Sequence, residues 1–153
     1  MDLILWRHAE AHVIRDGQSD LERALTSKGE RQAQRMGEWM NQRIAHSTRI
    51  LVSPALRCQQ TAKALGRSFK TLETIAPDAP PEAVIKAARW PDGTEPVLVV
   101  GHQPTLGLVA ALLLTGMPQP WAIKKGAVWW LRSRDREDGS QIVLQAVQSP
   151  DCL

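Results

Sequence analysis

Three short apolar runs constrain this chain most. Leu3–Trp6, Arg49–Val52 and Pro96–Val100 have the length and makeup of buried strands, and each stops abruptly on polar residues. Helical patterns separate them. Ala33, Met36, Gly37, Met40 and Ile44 recur at helical spacing, with Arg31, Gln34, Arg35, Glu38 and Gln42 on the opposite face. Ser27 and Glu30 have the spacing of a capping box at the start of that helix. Ser53 as N-cap and Pro54 as first helical residue predict a second helix, continuing through Leu56, Thr61, Ala62 and Leu65 to about Gly66. Glu82–Arg89 and Thr105–Thr115 read as two more.

The remaining segments complete the pattern. Glu10–Glu22 is polar and reads as a loop or frayed helix, and Lys70–Glu73 as a third, edge-like strand. Ala127–Leu131 and Gln141–Val147 read as strands joined by a charged turn, and the tail from Pro150 as loose. Strand–helix alternation of this kind predicts a three-layer α/β/α sandwich. Its sheet is mostly parallel, with helices on both faces and a terminal antiparallel hairpin. No repeat or linker divides residues 1–153, so a single domain is expected.

Composition narrows the class. Hydrophobic residues at 43% and charged residues at 23% are ordinary for a globular protein. A net charge of +3 with scattered Lys and Arg suits an anionic substrate and argues against nucleic acid as partner. Cys58 and Cys152 form neither a disulfide framework nor a zinc spacing. The start, Met1-Asp2, lacks the basic region of a signal peptide. The apolar stretch Leu106–Leu114 is far shorter than the ~20 residues of a membrane span. A soluble, cytoplasmic protein is expected, with no membrane partner.

The chemistry sits at the strand ends. The first run ends in Arg7-His8, the second leads through Ser53-Pro54 to Arg57 in a first helical turn, and the third ends in Gly101-His102. In an open parallel sheet these ends share one edge, where ligands bind. Two histidines and two arginines would therefore converge. Arginine forks bind phosphate oxygens bidentately. A neutral imidazole can attack phosphorus, and a protonated one can donate to its oxygens. With that much positive charge the transfer needs no metal or other cofactor. His12 stands four residues after His8, a metal-pair spacing on a helix, but no further ligand lies near it. Cys58 lacks the downstream arginine of cysteine-nucleophile phosphatases and reads as a packing residue. Lys124-Lys125 reads as a solvated turn able to guide an acidic partner.

Four blocks carry a family resemblance: Leu5-Trp6-Arg7-His8-Ala9-Glu10, Ala24–Gly29, Leu51–Ala62 and Val100–Pro104. In this order and spacing the chain resembles the histidine phosphatase superfamily, also called phosphoglycerate mutase-like. Within it, the short SixA-type phosphohistidine phosphatases look most similar. The resemblance implies a phosphoglycerate mutase-like fold and a metal-independent phosphatase acting through a phosphohistidine intermediate. It implies His8 as nucleophile, Arg7 and Arg57 as phosphate clamps, His102 as second pocket histidine and Arg23 as a further basic contact. Ala9 stands where the family has glycine. The segment that carries a proton donor in larger members is short here, and Glu73, Asp78, Glu82 and Glu10 stay open as acids. The expected substrate is phosphohistidine on a protein, such as a phosphotransfer domain, met by a monomer or weak dimer. The alternatives are a small-molecule phosphomonoesterase of the same superfamily and a non-catalytic phosphate-binding adaptor.

Overall fold

The computed structural model describes residues 1–153. Six strands form one sheet: β1 Asp2–Arg7, β2 Arg49–Val52, β3 Lys70–Thr71, β4 Val97–Gly101, β5 Val128–Arg136 and β6 Gly139–Gln148, in the order β3-β2-β4-β1-β5-β6. β3, β2, β4 and β1 run parallel, while β5 and β6 extend the β1 edge as an antiparallel hairpin. Four helices cover it: α1 Ser27–Asn41, α2 Leu56–Lys63, α3 Pro81–Ala88 and α4 Thr105–Thr115. This is the expected three-layer arrangement. No helix is long and apolar enough to cross a membrane.

Strand alternation sorts the core into two layers. Leu3, Leu5, Leu51, Val97, Val99 and Leu131 pack with Val84 and Ala88 of α3 and Leu106, Val109 and Ala110 of α4. Ile4, Trp6, Ile50, Val52, Leu98, Val100, Val128 and Trp130 pack with Met36 and Met40 of α1 and Cys58 and Ala62 of α2. Strands buried on both faces need continuous apolar runs, which is why β1, β2 and β4 read so plainly.

Several boundaries differ from the sequence reading. Thr26, not Ser27, caps α1: its Oγ1 accepts from Gly29 N at 3.0 Å and donates to Glu10 Oε2 at 2.8 Å. Ser53 does not cap α2, which starts after Ala55 and ends at Lys63. β3 is only two residues long, and a 3-10 turn follows at Glu73–Ile75. β5 runs five residues past its expected end, to Arg136, whereas β6 lies within two residues of its expected bounds. The tail is not loose: Pro150–Cys152 forms a 3-10 turn in which Pro150 is buried. His8 and His12 do not share a helix, because residues 8–19 are largely irregular.

Candidate active site

The register of the central strands builds the site. Arg7 of β1 pairs with Gly101 of β4, so the next residues, His8 and His102, leave the sheet side by side. The His8 amide donates to the Gly101 carbonyl at 3.1 Å, and the two imidazole centroids lie 5.4 Å apart. Val52 of β2 pairs with Val100, which brings Ser53 beside the same edge. Arg57 reaches in from the first turn of α2. Arg7, His8, Arg23, Arg57 and His102 line a cavity of about 280 Å³, closed by Asp20, Pro77, Asp78, Gln103 and Lys125. Four cations thus face two carboxylates, so the cavity attracts anions.

All five expected site residues meet there. Arg7 Nη1 donates to the Ile123 carbonyl at 2.8 Å. The Ile123 segment is itself set by α4: Gln103 Nε2 donates to the Trp121 carbonyl at 2.8 Å, and Gly107 faces that same oxygen. A Cβ on Gly107 would lie 1.8 Å from it, so only glycine admits this approach. Arg23 Nε donates to the His12 carbonyl at 2.7 Å and Nη1 to Asp20 at 3.1 Å. Arg7 Nε and Arg57 Nε are buried donors with no partner in the protein. An oxyanion in the cavity is the natural acceptor for such groups.

Hydrogen bonds fix both histidine tautomers. His8 Nδ1 lies 2.8 Å from the Ala9 carbonyl, which can only accept, so Nδ1 carries the proton and Nε2 the lone pair. His102 Nδ1 lies 3.4 Å from Arg57 Nη2, which can only donate, so its proton is on Nε2, donated to Ser53 Oγ at 2.7 Å. Burial, with the charges of Arg57, Arg7 and Arg23 behind it, pushes the His8 pKa down to about 4, against the Ala9 bond, which raises it. Burial, then His8 and Arg57, pushes His102 down to about 3. Both rings are neutral at neutral pH. Ala9 in place of glycine is fully buried beside Leu25 and Ala33, and its amide donates to Thr61 Oγ1 at 3.1 Å.

Of the four carboxylates considered as acids, Asp78 alone lines the cavity. Glu10 is taken up by Thr26 at the start of α1. Cys58 is buried behind His102, its Sγ 3.5 Å from Nε2, and burial pushes its thiol up to about 12. Asp20, Ser53, Gln103 and Lys125 were not among the expected site residues. Ser53 read as a cap and Lys125 as a solvated turn, while Asp20 sits in a polar loop without local signal. Asp20 Oδ2 accepts from Arg57 Nη2 at 3.0 Å. Burial raises its pKa, but the hydrogen bonds from Arg23 and Arg57 outweigh that and hold it below the usual carboxylate range.

A parallel sheet whose strand ends present two neutral histidines and a set of arginines defines a phosphoryl-transfer pocket. Residues 3–79 match the histidine phosphatase superfamily (branch 1). The chain is 30% identical to the phosphohistidine phosphatase SixA of Escherichia coli, over 78% of each chain. It is 32% identical to the SixA homologue of Haemophilus influenzae, over 74% of this chain and 77% of that one. A solved structure of the protein histidine phosphatase SixA complexed with tungstate superposes with a TM-score of 0.81 at 27% identity, covering 99% of both chains. The chain belongs to the histidine phosphatase superfamily, and it is a phosphatase.

Proposed function

We propose that this phosphatase acts without a metal, through a phosphohistidine at His8, and that its substrate is phosphohistidine on a protein. The observation that carries the mechanism is the Nδ1–H bond of His8 to the Ala9 carbonyl, which leaves Nε2 as the free lone pair. In the first step Nε2 attacks phosphorus and the bond from phosphorus to the leaving imidazole nitrogen breaks; the electron pair of that bond stays on the leaving nitrogen, and a proton from water makes the departing ring neutral. Arg7 and Arg57 hold the equatorial oxygens, with Arg23 at the rim. His102 rests neutral. A bound phosphate dianion raises its pKa, and protonated Nδ1 then donates to the transferring group. In the second step water attacks phosphorus, the P–Nε2 bond breaks, and phosphate leaves. The tungstate held by the related phosphatase, a tetrahedral oxyanion, fits this reading.

The substrate class rests on the acids. Asp20 is committed to Arg23 and Arg57 and is held ionised, and both carboxyls at the cavity, Asp20 and Asp78, are exposed rather than buried. An alkoxide leaving group needs a buried neutral acid as donor, whereas a phosphoramidate nitrogen takes its proton readily from water. Two free cysteines support a reducing compartment such as the cytoplasm. A second reading, small phosphomonoesters, rests on Asp78 at the cavity wall. Turnover rates on a phosphohistidine protein, a sugar phosphate and an aryl phosphate separate the two. The phosphohistidine protein is expected to be fastest, and a faster sugar phosphate would favour the second reading with Asp78 as acid.

A further inference from the structure

Asp20 is the one anionic side chain bonded to a phosphate clamp. It lies in a short 3-10 turn, Asp20–Glu22, and belongs to no strand end. Its carboxylate takes Arg57 Nη2 at 3.0 Å and Arg23 Nη1 at 3.1 Å, and its backbone carbonyl takes Arg57 Nη1 at 2.8 Å. A single residue therefore holds the whole terminal fork of Arg57. The second hydrogen of Nη2 is directed at His102 Nδ1, 3.4 Å away, and Nε has no partner. Nε and Nη2 form the side edge of the guanidinium, which grips an oxyanion as well as the terminal fork does.

We propose that Asp20 is a positioning residue for phosphoryl transfer: it occupies the end of the Arg57 fork, turns the Nε/Nη2 edge toward His102 and the transferring group, and offsets cavity charge so that phosphate leaves. This rests on the phosphatase reading above. It has an unusual signature. A residue that only supports the fold weakens anion binding and turnover together when removed. Removing Asp20 takes a negative charge from the cavity, which strengthens anion binding, and frees the guanidinium, which weakens catalysis.

The test compares Asp20→Ala and Asp20→Asn with the wild type, using calorimetric titration of inorganic phosphate and tungstate alongside kcat on a phosphohistidine protein and an aryl phosphate. Both variants are expected to bind the oxyanions about tenfold more tightly. Asp20→Asn keeps an acceptor oxygen for Arg57 and is expected to lose about tenfold in kcat, whereas Asp20→Ala loses about a hundredfold. Unchanged or weaker oxyanion binding in both variants would overturn the proposal, as would an unchanged kcat in Asp20→Ala. Should Asp20→Ala not fold, Asp20→Asn decides by its binding arm. A wild type that binds phosphate but turns over neither substrate would sink the phosphatase reading, and the binding arm would still judge Asp20.

Discussion

The Nδ1–H of His8 donates to the carbonyl of Ala9, the next residue in the chain, at 2.8 Å. This local bond fixes the tautomer, and the neighbouring arginines with burial keep the ring unprotonated. In the proposed mechanism His8 therefore attacks without a separate base to activate it. His102 is the complement: its Nε2–H is tied to Ser53 and its Nδ1 faces Arg57 and the cavity.

The neutral histidines tie stability to pH. The folded pKa values, about 4 for His8 and about 3 for His102, lie below the unfolded value of 6.5. Between those limits the unfolded chain binds more protons, so this stability is full above pH 6.5 and is lost as pH falls. For His8 alone the loss by pH 4 is on the order of 3 kcal/mol. Urea unfolding of the wild type and of His8→Asn at pH 7 and pH 4.5 checks this. The wild type is expected to lose more stability than the variant, and equal losses would contradict the assignment.

Cys58 lies against His102 yet is buried and held as a thiol. Thiol labelling of the native protein is expected to modify Cys152 only, with both residues modified in denaturant. Cys58→Ala is expected to retain kcat to within about threefold and to lose about 1–3 kcal/mol of stability for the small cavity left behind. A loss of activity comparable to that of His8→Asn would assign the thiol a chemical role instead.

Gly107 lets α4 approach the Trp121 carbonyl, and two residues on, the Ile123 carbonyl anchors Arg7. Gly107→Ala forces that segment outward. It is expected to cost about 2–3 kcal/mol in denaturant unfolding and to weaken phosphate binding, because Arg7, the proposed clamp, loses its anchor. Ala added at Gly116, where a Cβ meets nothing within 4 Å but φ is +83°, should strain the end of α4 and leave phosphate binding alone.

The central sheet and Arg7, His8, Arg57 and His102 were legible because their signals are local, while Arg23 came only from the family resemblance. Continuous apolar runs mark β1, β2 and β4, and parallel packing forces their ends, with Arg7, His8 and His102, to one edge. What was missed depends on distant partners. Local rules made Ser53 a helix cap, but its hydroxyl goes to His102, 49 residues away. Thr26 and Ser27 are both capping types, and the contact of Thr26 with Glu10 decides between them. Asp20 finds Arg57 across 37 residues from a loop with no periodicity. β5 was read short because its outer half, Arg132–Arg136, is mostly charged and largely solvated.

The most direct test is to trap the phosphoenzyme. Wild-type protein mixed briefly with a phosphohistidine substrate and quenched should carry an acid-labile, alkali-stable phosphate on His8. His8→Asn should carry none and lose at least about a thousandfold in turnover while still binding phosphate. Undiminished turnover in His8→Asn, or a phosphate found on any other residue, would contradict the account.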